Sequence, residues 1–330
     1  MNIQQQILRL LADGKLYSGR SLAERIGVSR TAVWKHIGQL RKLGLEFDAV
    51  PGAGYRWLTP IELLQLDRIM AELGAEFCGN VEAIDLLWTA KSTSDELLAK
   101  DPPPKGRSRV CLAECQTGGR GRRGRKWLSP FGSGIYLSLS WCFAEAPKEL
   151  TALSLAAGVA VLRALRAMGT ASLSLKWPND VLADGRKLAG ILVDLRGEAE
   201  GPLTAVIGVG VNLEVPAPVA AMIKAEGGMP PVGLGQIDAG PARSRNRLAA
   251  ELISALHQAM HEFGQTGFSG FAGEWTARDY LRDRRISIRV GDRVCEGVAK
   301  GIAADGQFRL ETNGRVERIV SGDVTLRDTQ

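Results

Sequence analysis

Residues 118–127 read GGRGRRGRKW and set four arginines and a lysine among four glycines. Guanidinium groups match phosphate and carboxylate oxygens with paired N–H donors. Glycines between them let a loop open for a ligand and close over it. Gly119, Gly121 and Gly124 have the spacing of a dinucleotide loop, but such a loop must open a helix whose N-terminus holds the pyrophosphate. Here Trp127, Pro130, Gly132 and Gly134 follow, and then a strand pattern. A Walker loop needs Gly-Lys-Ser/Thr after its spacer, and the chain has Gly124-Arg125-Lys126. An arginine–glycine loop that closes on an anionic ligand remains, with a solvated basic loop as the alternative without chemistry.

KWPND at residues 176–180 is followed by DGRKLAG at 184–190. The pair Asp184-Gly185 predicts a tight hairpin that lays SLKWPND beside RKLAGILVDL and brings Lys187 to the corner at 177–180. A lysine entering an otherwise apolar strand needs an anionic partner or a catalytic task. IGVGVN at 207–212 puts small residues and an amide at a strand end, where a ligand can approach the backbone. His257 and His261 are spaced i,i+4 on a helix, but QAM between them lacks the glutamate of HExxH, so zinc is not expected.

These residues need elements to hold them. After Pro60, helical and strand patterns alternate as in an α/β or α+β domain. Strands are expected at 109–114, in GIYLSLSW (134–141), and in SLSLKWP, KLAGILVDL and TAVIGVGVNL; helices are expected at 148–168 and 247–263. The first sixty residues carry nine Lys/Arg against four Asp/Glu, so +5 of the net +6 sits there. Within them, Ser18 and Ser29 are placed to cap two short helices joined by Gly27. Leu22 and Ile26 on the first, and Val33, Ile37 and Leu40 on the second, form the inward faces. Arg30, Thr31, Trp34, Lys35 and Arg41 point outward from the second helix. FDAVPGAGYRW adds a glycine-rich hairpin, which completes a winged helix-turn-helix with a polyanion, DNA, as its partner. The last fifty residues are short strands with turns at Asp305-Gly306 and Asn313-Gly314, which predicts a small SH3-like barrel. A 330-residue chain with 45% apolar residues supports several domains with real cores. No run approaches a membrane span, no secretory signal opens the chain, and five cysteines without a CxxC pair suit a reducing cytoplasm.

AECQTGGRGRRGRKWLSPFGSGIYLSLSW, KWPNDVL, GRKLAGILVD and IGVGVNL together resemble the catalytic core of biotin–protein ligases. With the N-terminal winged helix-turn-helix and the small C-terminal domain, the chain is similar over nearly all its length to the bacterial ligases that also repress the biotin operon. The resemblance implies an α+β protein in three parts: a DNA-binding domain at 1–60, a class II synthetase-like ligase domain with a mixed sheet at 61–275, and an SH3-like domain at 276–330. It implies biotin, ATP and Mg²⁺, with biotinyl-5'-AMP made first and biotin then passed to a lysine of the biotin carboxyl carrier protein of acetyl-CoA carboxylase. Biotin would be lined by Ser92, Thr93, Ser94, Gln116, Arg120, Gly121, Arg122 and Lys187. The adenylate would be lined by Arg120, Arg122, Trp127, Asn179, Asp180 and Asn212. Lys187, Arg120 and Arg122 would stabilise charge at the reacting phosphorus. The family commonly has Asn where this chain has Ser94. The adenylate is also expected to act as corepressor, favouring a homodimer on operator DNA. Two rivals remain open: a ligase for lipoate or another acyl group, and a transcription factor that senses an adenylate without making it.

Overall fold

The computed structural model describes residues 2–147, 149–197, 202–237 and 244–326. The chain forms two compact units, one made by the residues up to Leu63 and the other by nearly all the rest.

In the first unit, α1 (Ile3–Leu11), α2 (Gly19–Ile26) and α3 (Arg30–Lys42) pack together. Side chains of Asn2, Ser18 and Ser29 accept the backbone N–H of Gln5, Ser21 and Ala32. Each cap is worth about 1 kcal/mol. Gly27 ends α2 with φ at 78°, a left-handed turn that glycine adopts without strain. Ile7, Leu8, Leu11, Leu22, Val33, Ile37 and Leu40 are buried at helical spacing. β1 (Phe47–Val50) and β2 (Gly54–Trp57) form the antiparallel hairpin of the wing.

In the second unit, α4 (Leu66–Leu73), α5 (Ala75–Cys78), β3 (Val81–Leu87), α6 (Thr93–Leu98), β4 (Ser108–Ala113) and β5 (Gly134–Phe143) come first. They are followed by α7 (Leu153–Ala167), β6 (Leu173–Lys176), β7 (Asp180–Ala183), β8 (Arg186–Gly197) and β9 (Leu203–Asn212). α8 (Ala217–Ala225), α9 (Arg245–Thr266) and α10 (Ser269–Arg278) complete this part. The seven strands form one mixed sheet in the order β3-β4-β5-β9-β8-β7-β6, parallel only at β3/β4. Successive residues of β5 and β9 point to opposite faces of the sheet. Ile135, Leu137, Leu139 and Trp141, with Ile207, Val209 and Val211, enter the main core, where α7 and α9 pack. Gly134, Ser138, Gly208 and Gly210 occupy intervening positions together with the buried Tyr136 and Val206, so the opposite face of the sheet is shallow where the glycines and Ser138 lie. α6 covers part of that face through Leu97, against Cys111 and Val206.

α7 contradicts one expectation. By length and composition alone, Leu150–Ala167 could cross a bilayer. It is largely apolar because most of it lies in the interior, with Leu155, Ala156, Val159, Ala160 and Leu162 almost fully buried, while Arg163 pairs with Glu262 and Glu274. Lys148, from which that helix was expected to start, lies outside the described residues.

The remaining strands, β10 (Arg285–Val290), β11 (Arg293–Ile302), β12 (Phe308–Thr312), β13 (Arg315–Ile319) and β14 (Asp323–Leu326), make an antiparallel sheet in the order β13-β12-β11-β10-β14. Asn313 and Gly314 both have positive φ, as a two-residue hairpin requires. This sheet joins the main core: the Trp177 and Phe308 rings lie 5.1 Å apart, and Trp177 Nε1 donates to Gly306 O.

Candidate active site

The Asp184-Gly185 turn joins β7 to β8, with both residues at positive φ. The strand expected in SLSLKWP stops at Lys176; residues 177–179 turn through the cis Trp177–Pro178 bond, and β7 pairs with both β6 and β8. This differs from a direct pairing of SLKWPND with β8, yet Lys187 still reaches the corner. Its Nζ lies 2.7 Å from Asp180 Oδ1 and 5.4 Å from the centre of the Trp127 ring. Two asparagines set the height of β8 there. Asn212 Nδ2 donates to Lys187 O at 3.2 Å, and Asn179 Nδ2 donates to Ile191 O at 2.7 Å.

The Trp127 indole lies over Gly190 and Gly210, which are opposite each other in the β8/β9 register. Neither glycine has a positive φ. It is the ring's approach that demands glycine: a Cβ on Gly190 would come within 2.8 Å of the indole, and one on Gly210 would overlap it. This floor was legible as small residues in IGVGVN; the ring upon it was not.

At the other end, Ser92 caps α6, and Ser92, Thr93 and Ser94 are all buried. Thr93 N–H can only donate, so the Gln116 atom 2.9 Å away is Oε1. Gln116 Nε2 then donates to Ser129 Oγ at 3.0 Å. Thr93 Oγ1 lies 3.2 Å from Gln116 Oε1, which only accepts, so the Thr93 hydroxyl donates there. Thr93 must in turn accept from Ser138 at 2.7 Å, and Ser138 from Ser94 at 3.0 Å. Every hydroxyl proton in the chain runs towards Gln116. Ser94 Oγ spends its proton within the chain and keeps acceptor capacity, while Gln116 Nε2 keeps a second N–H. A cyclic urea, with N–H donors beside a carbonyl, complements that pair.

The arginine loop lies between these ends. Arg120 grips Asp194 with two N–H groups at 3.2 and 2.8 Å, and Asp95 of α6 lies 3.0 Å away. Gly121 N–H donates to Arg125 O at 2.7 Å, which tightens the turn. Arg122 donates to Gly322 O and Ser321 Oγ, both at 3.3 Å. Asp323 receives Arg123 at 3.3 Å and Arg125 at 2.8 Å. Burial lowers the Arg122 pKa, and the Asp323 carboxylate opposes that shift. Lys176 is lowered by burial too, against the pull of Asp180. Lys176, Arg122, Arg125 and Lys187 thus share two carboxylates, Asp180 and Asp323. This excess of cations suits a polyphosphate and a second anion. Sequence reasoning missed Lys176, Ser138, Asp95, Asp194 and Asp323. Lys176 opens KWPND and could have been weighed; the three acids carry no local signal.

His257 and His261 both pack edge-on to Trp141, and His257 Nδ1 lies 3.1 Å from Ser108 Oγ. In the first unit, Arg30, Thr31, Trp34, Lys35 and Arg41 are all exposed on α3, Trp34 by 67%. Arg41 also donates to Phe47 O at 2.9 Å and so braces the wing.

The pattern of the Biotin/lipoate A/B protein ligase family matches residues 88–212, an HTH domain matches 3–56, and the Biotin protein ligase C terminal domain matches 283–327. The chain is 38% identical over 327 residues to the "Bifunctional ligase/repressor BirA" of Salmonella typhimurium, covering 98% of this chain and 97% of that one. It is 37% identical to the protein of the same name from Escherichia coli, with the same coverage. Among solved structures, the biotin protein ligase of Aquifex aeolicus in complex with biotin and ATP has a TM-score of 0.61 at 26% identity, covering 75% of this chain and all of that one. The chain therefore belongs to the biotin/lipoate A/B protein ligase family, as a bifunctional ligase/repressor with a helix-turn-helix DNA-binding domain.

Proposed function

We propose that the chain condenses biotin with ATP to biotinyl-5'-AMP and passes the biotin to a lysine of a biotin carboxyl carrier protein. The carrying observation is Lys187, poised between Asp180 and the Trp127 ring above a glycine floor. A biotin carboxylate oxygen attacks the α-phosphorus, the bond to the β-phosphate breaks, and pyrophosphate leaves. Two anions must meet, and they repel. The Lys187 ammonium has donors left beyond Asp180 with which to hold the carboxylate. Arg122 follows the charge into the transition state, and Arg120 fixes the near end of the loop on Asp194. Trp127 and the loop keep water off the mixed anhydride. The carrier lysine, as a free amine, then attacks the acyl carbon; AMP leaves and the amine proton goes to solvent. The urea end of biotin sits at Ser92, Thr93, Ser94 and Gln116, and the loop at Arg120, Gly121 and Arg122 covers it. Trp127, Asn179, Asp180 and Asn212 border the nucleotide.

Among the described residues, no group of three His, Cys, Asp or Glu gathers to hold a metal. Mg²⁺ carried on ATP phosphates needs at most one or two carboxylates, and Asp180 would be one. When bound, the ion supplies further charge neutralisation at the phosphates. The N-terminal unit reads operator DNA through Arg30, Thr31, Trp34, Lys35 and Arg41, and the adenylate-loaded chain does so as a homodimer. This reading divides the chain at 1–60, 61–275 and 276–330, with the last limit falling inside α10 (Ser269–Arg278). Five unpaired thiols suit a cytoplasmic location.

The test is incubation of the pure protein with biotin and ATP radiolabelled at the α-phosphate. Labelled biotinyl-adenylate should form, and then vanish as added carrier domain becomes biotinylated. Turnover with lipoate and not biotin would install the first rival. Binding of biotin without any labelled adenylate would install the second.

A further inference from the structure

Four hydrogen bonds converge where the chemistry above uses nothing. Glu114, Arg245 and Asn246 are 2%, 4% and 1% exposed. Glu114 Oε1 accepts the Leu64 N–H at 2.6 Å, and its Oε2 accepts Arg245 Nη2 at 2.7 Å. The same Nη2 donates to Gly134 O at 3.0 Å. Asn246 Oδ1 accepts the Gln65 N–H at 2.7 Å. A buried ion pair seldom returns its desolvation cost as stability, so its role is sought in what it holds in place.

Each group belongs to an element with a task. Glu114 follows β4 and stands two residues before Gln116. Gly134 starts β5 and pairs with Asn212 at the end of β9. Arg245 and Asn246 open α9. Leu64 and Gln65 are the first residues beyond the unit that carries α1, α2 and α3. Both oxygens of Glu114 are engaged, so it cannot follow a shift of Gln116 without straining its hold on Leu64 or Arg245. Arg245 cannot move without straining its hold on Gly134.

We propose that Glu114, Arg245 and Asn246 are positioning residues that lock the strand ends beside the biotin and nucleotide positions to the peptide leaving the DNA-binding unit. The inference rests on the ligase/repressor reading above. Ligand that steadies Gln116 and Asn212 then steadies Leu64 and Gln65, and by linkage a held peptide tightens ligand binding by the same factor.

The experiment uses the full chain. Amide exchange at Leu64 and Gln65 is followed with and without biotin plus ATP. Binding is measured in parallel to a duplex selected from a random pool by the ligand-loaded wild type. In the wild type, exchange at both amides should slow by about tenfold on loading, within the ordinary range of allosteric couplings. Asn246→Ala removes the hold on Gln65. At saturating biotin and ATP it should leave the rate of adenylate formation unchanged and shrink the effect of ligand on both exchange and duplex binding. Glu114→Gln keeps an acceptor for Leu64 but discards the charge. It should raise the biotin Kd and flatten the ligand effect, whereas a merely structural role would lower the melting temperature alone. If Glu114→Gln does not fold, Asn246→Ala decides. Wild-type response to biotin plus ATP in the folded variants overturns the proposal. Adenylate synthesis by the same wild-type preparation separates the two readings: its absence sinks the ligase, and its presence with unresponsive Leu64 and Gln65 sinks the lock alone.

Discussion

Lys187 meets a carboxylate at 2.7 Å and an indole at 5.4 Å, so its ammonium is held in place by the protein itself. Removing one preorganised cation at a developing charge costs ~10²–10³ in rate. Lys187→Ala should show that loss in single-turnover formation of biotinyl-adenylate. The hydroxyl chain makes a milder prediction. Ser138→Ala leaves Thr93 without its donor and Ser94 without its acceptor, and biotin binding should weaken by about 1 kcal/mol, roughly fivefold, in calorimetry. Motif residues such as Arg122 and Lys187 were legible because their neighbours in sequence are also their neighbours in chemistry. Their partners were not: Asp194 meets Arg120 across 74 positions, and Gly322 meets Arg122 across 200. No local pattern marks an aspartate that folding alone brings to the loop.

Strands β5 and β9 were legible as elements because alternation of large and small residues is a two-residue signal. Which strands pair is a different matter, and the turn at 177–179 shows why: KWPND reads as one strand end until Trp177-Pro178 ends β6 and a second strand begins. Edge strand β3 escaped notice, since Glu82 and Asp85 break its apolar run. The glycine floor yields a test. Gly210→Ala must push the Trp127 ring aside, and such crowding costs about 1–3 kcal/mol. The urea midpoint should fall, and adenylate formation should fall with it. α9 offers a pH test. Burial, with a smaller push from His261, lowers the His257 pKa from 6.5 to about 4. Between those values the unfolded chain binds the extra proton, so stability should decline as pH drops from about 6.5 to about 4. His257→Gln should flatten that decline in urea titrations at pH 7 and pH 5.

Across the whole molecule, charge is divided unevenly, with +5 of +6 in the first sixty residues. A chain starting after Leu63 should lose binding to the selected duplex and keep its folded ligase core; gel shift and circular dichroism check both. Retained duplex binding would move the DNA site elsewhere. The three-part organisation was legible because each part has its own periodicity: helical spacing with caps, then alternating patterns, then short hairpins. The grip of the last part on the arginine loop was not, since it is made by Ser321, Gly322 and Asp323. That grip also sets an order of events at the ribosome. Residues 118–127 emerge long before residues 321–323, and chains fold from the N-terminus as they are made. A nascent chain therefore lacks these partners of Arg122, Arg123 and Arg125 until residues 321–323 are released, while Arg120 can already reach Asp95 and Asp194. The loop is gripped from both sides only once residues 321–323 have emerged, so a chain stalled short of Ser321 would hold the loop at Arg120 and lack the Ser321, Gly322 and Asp323 partners.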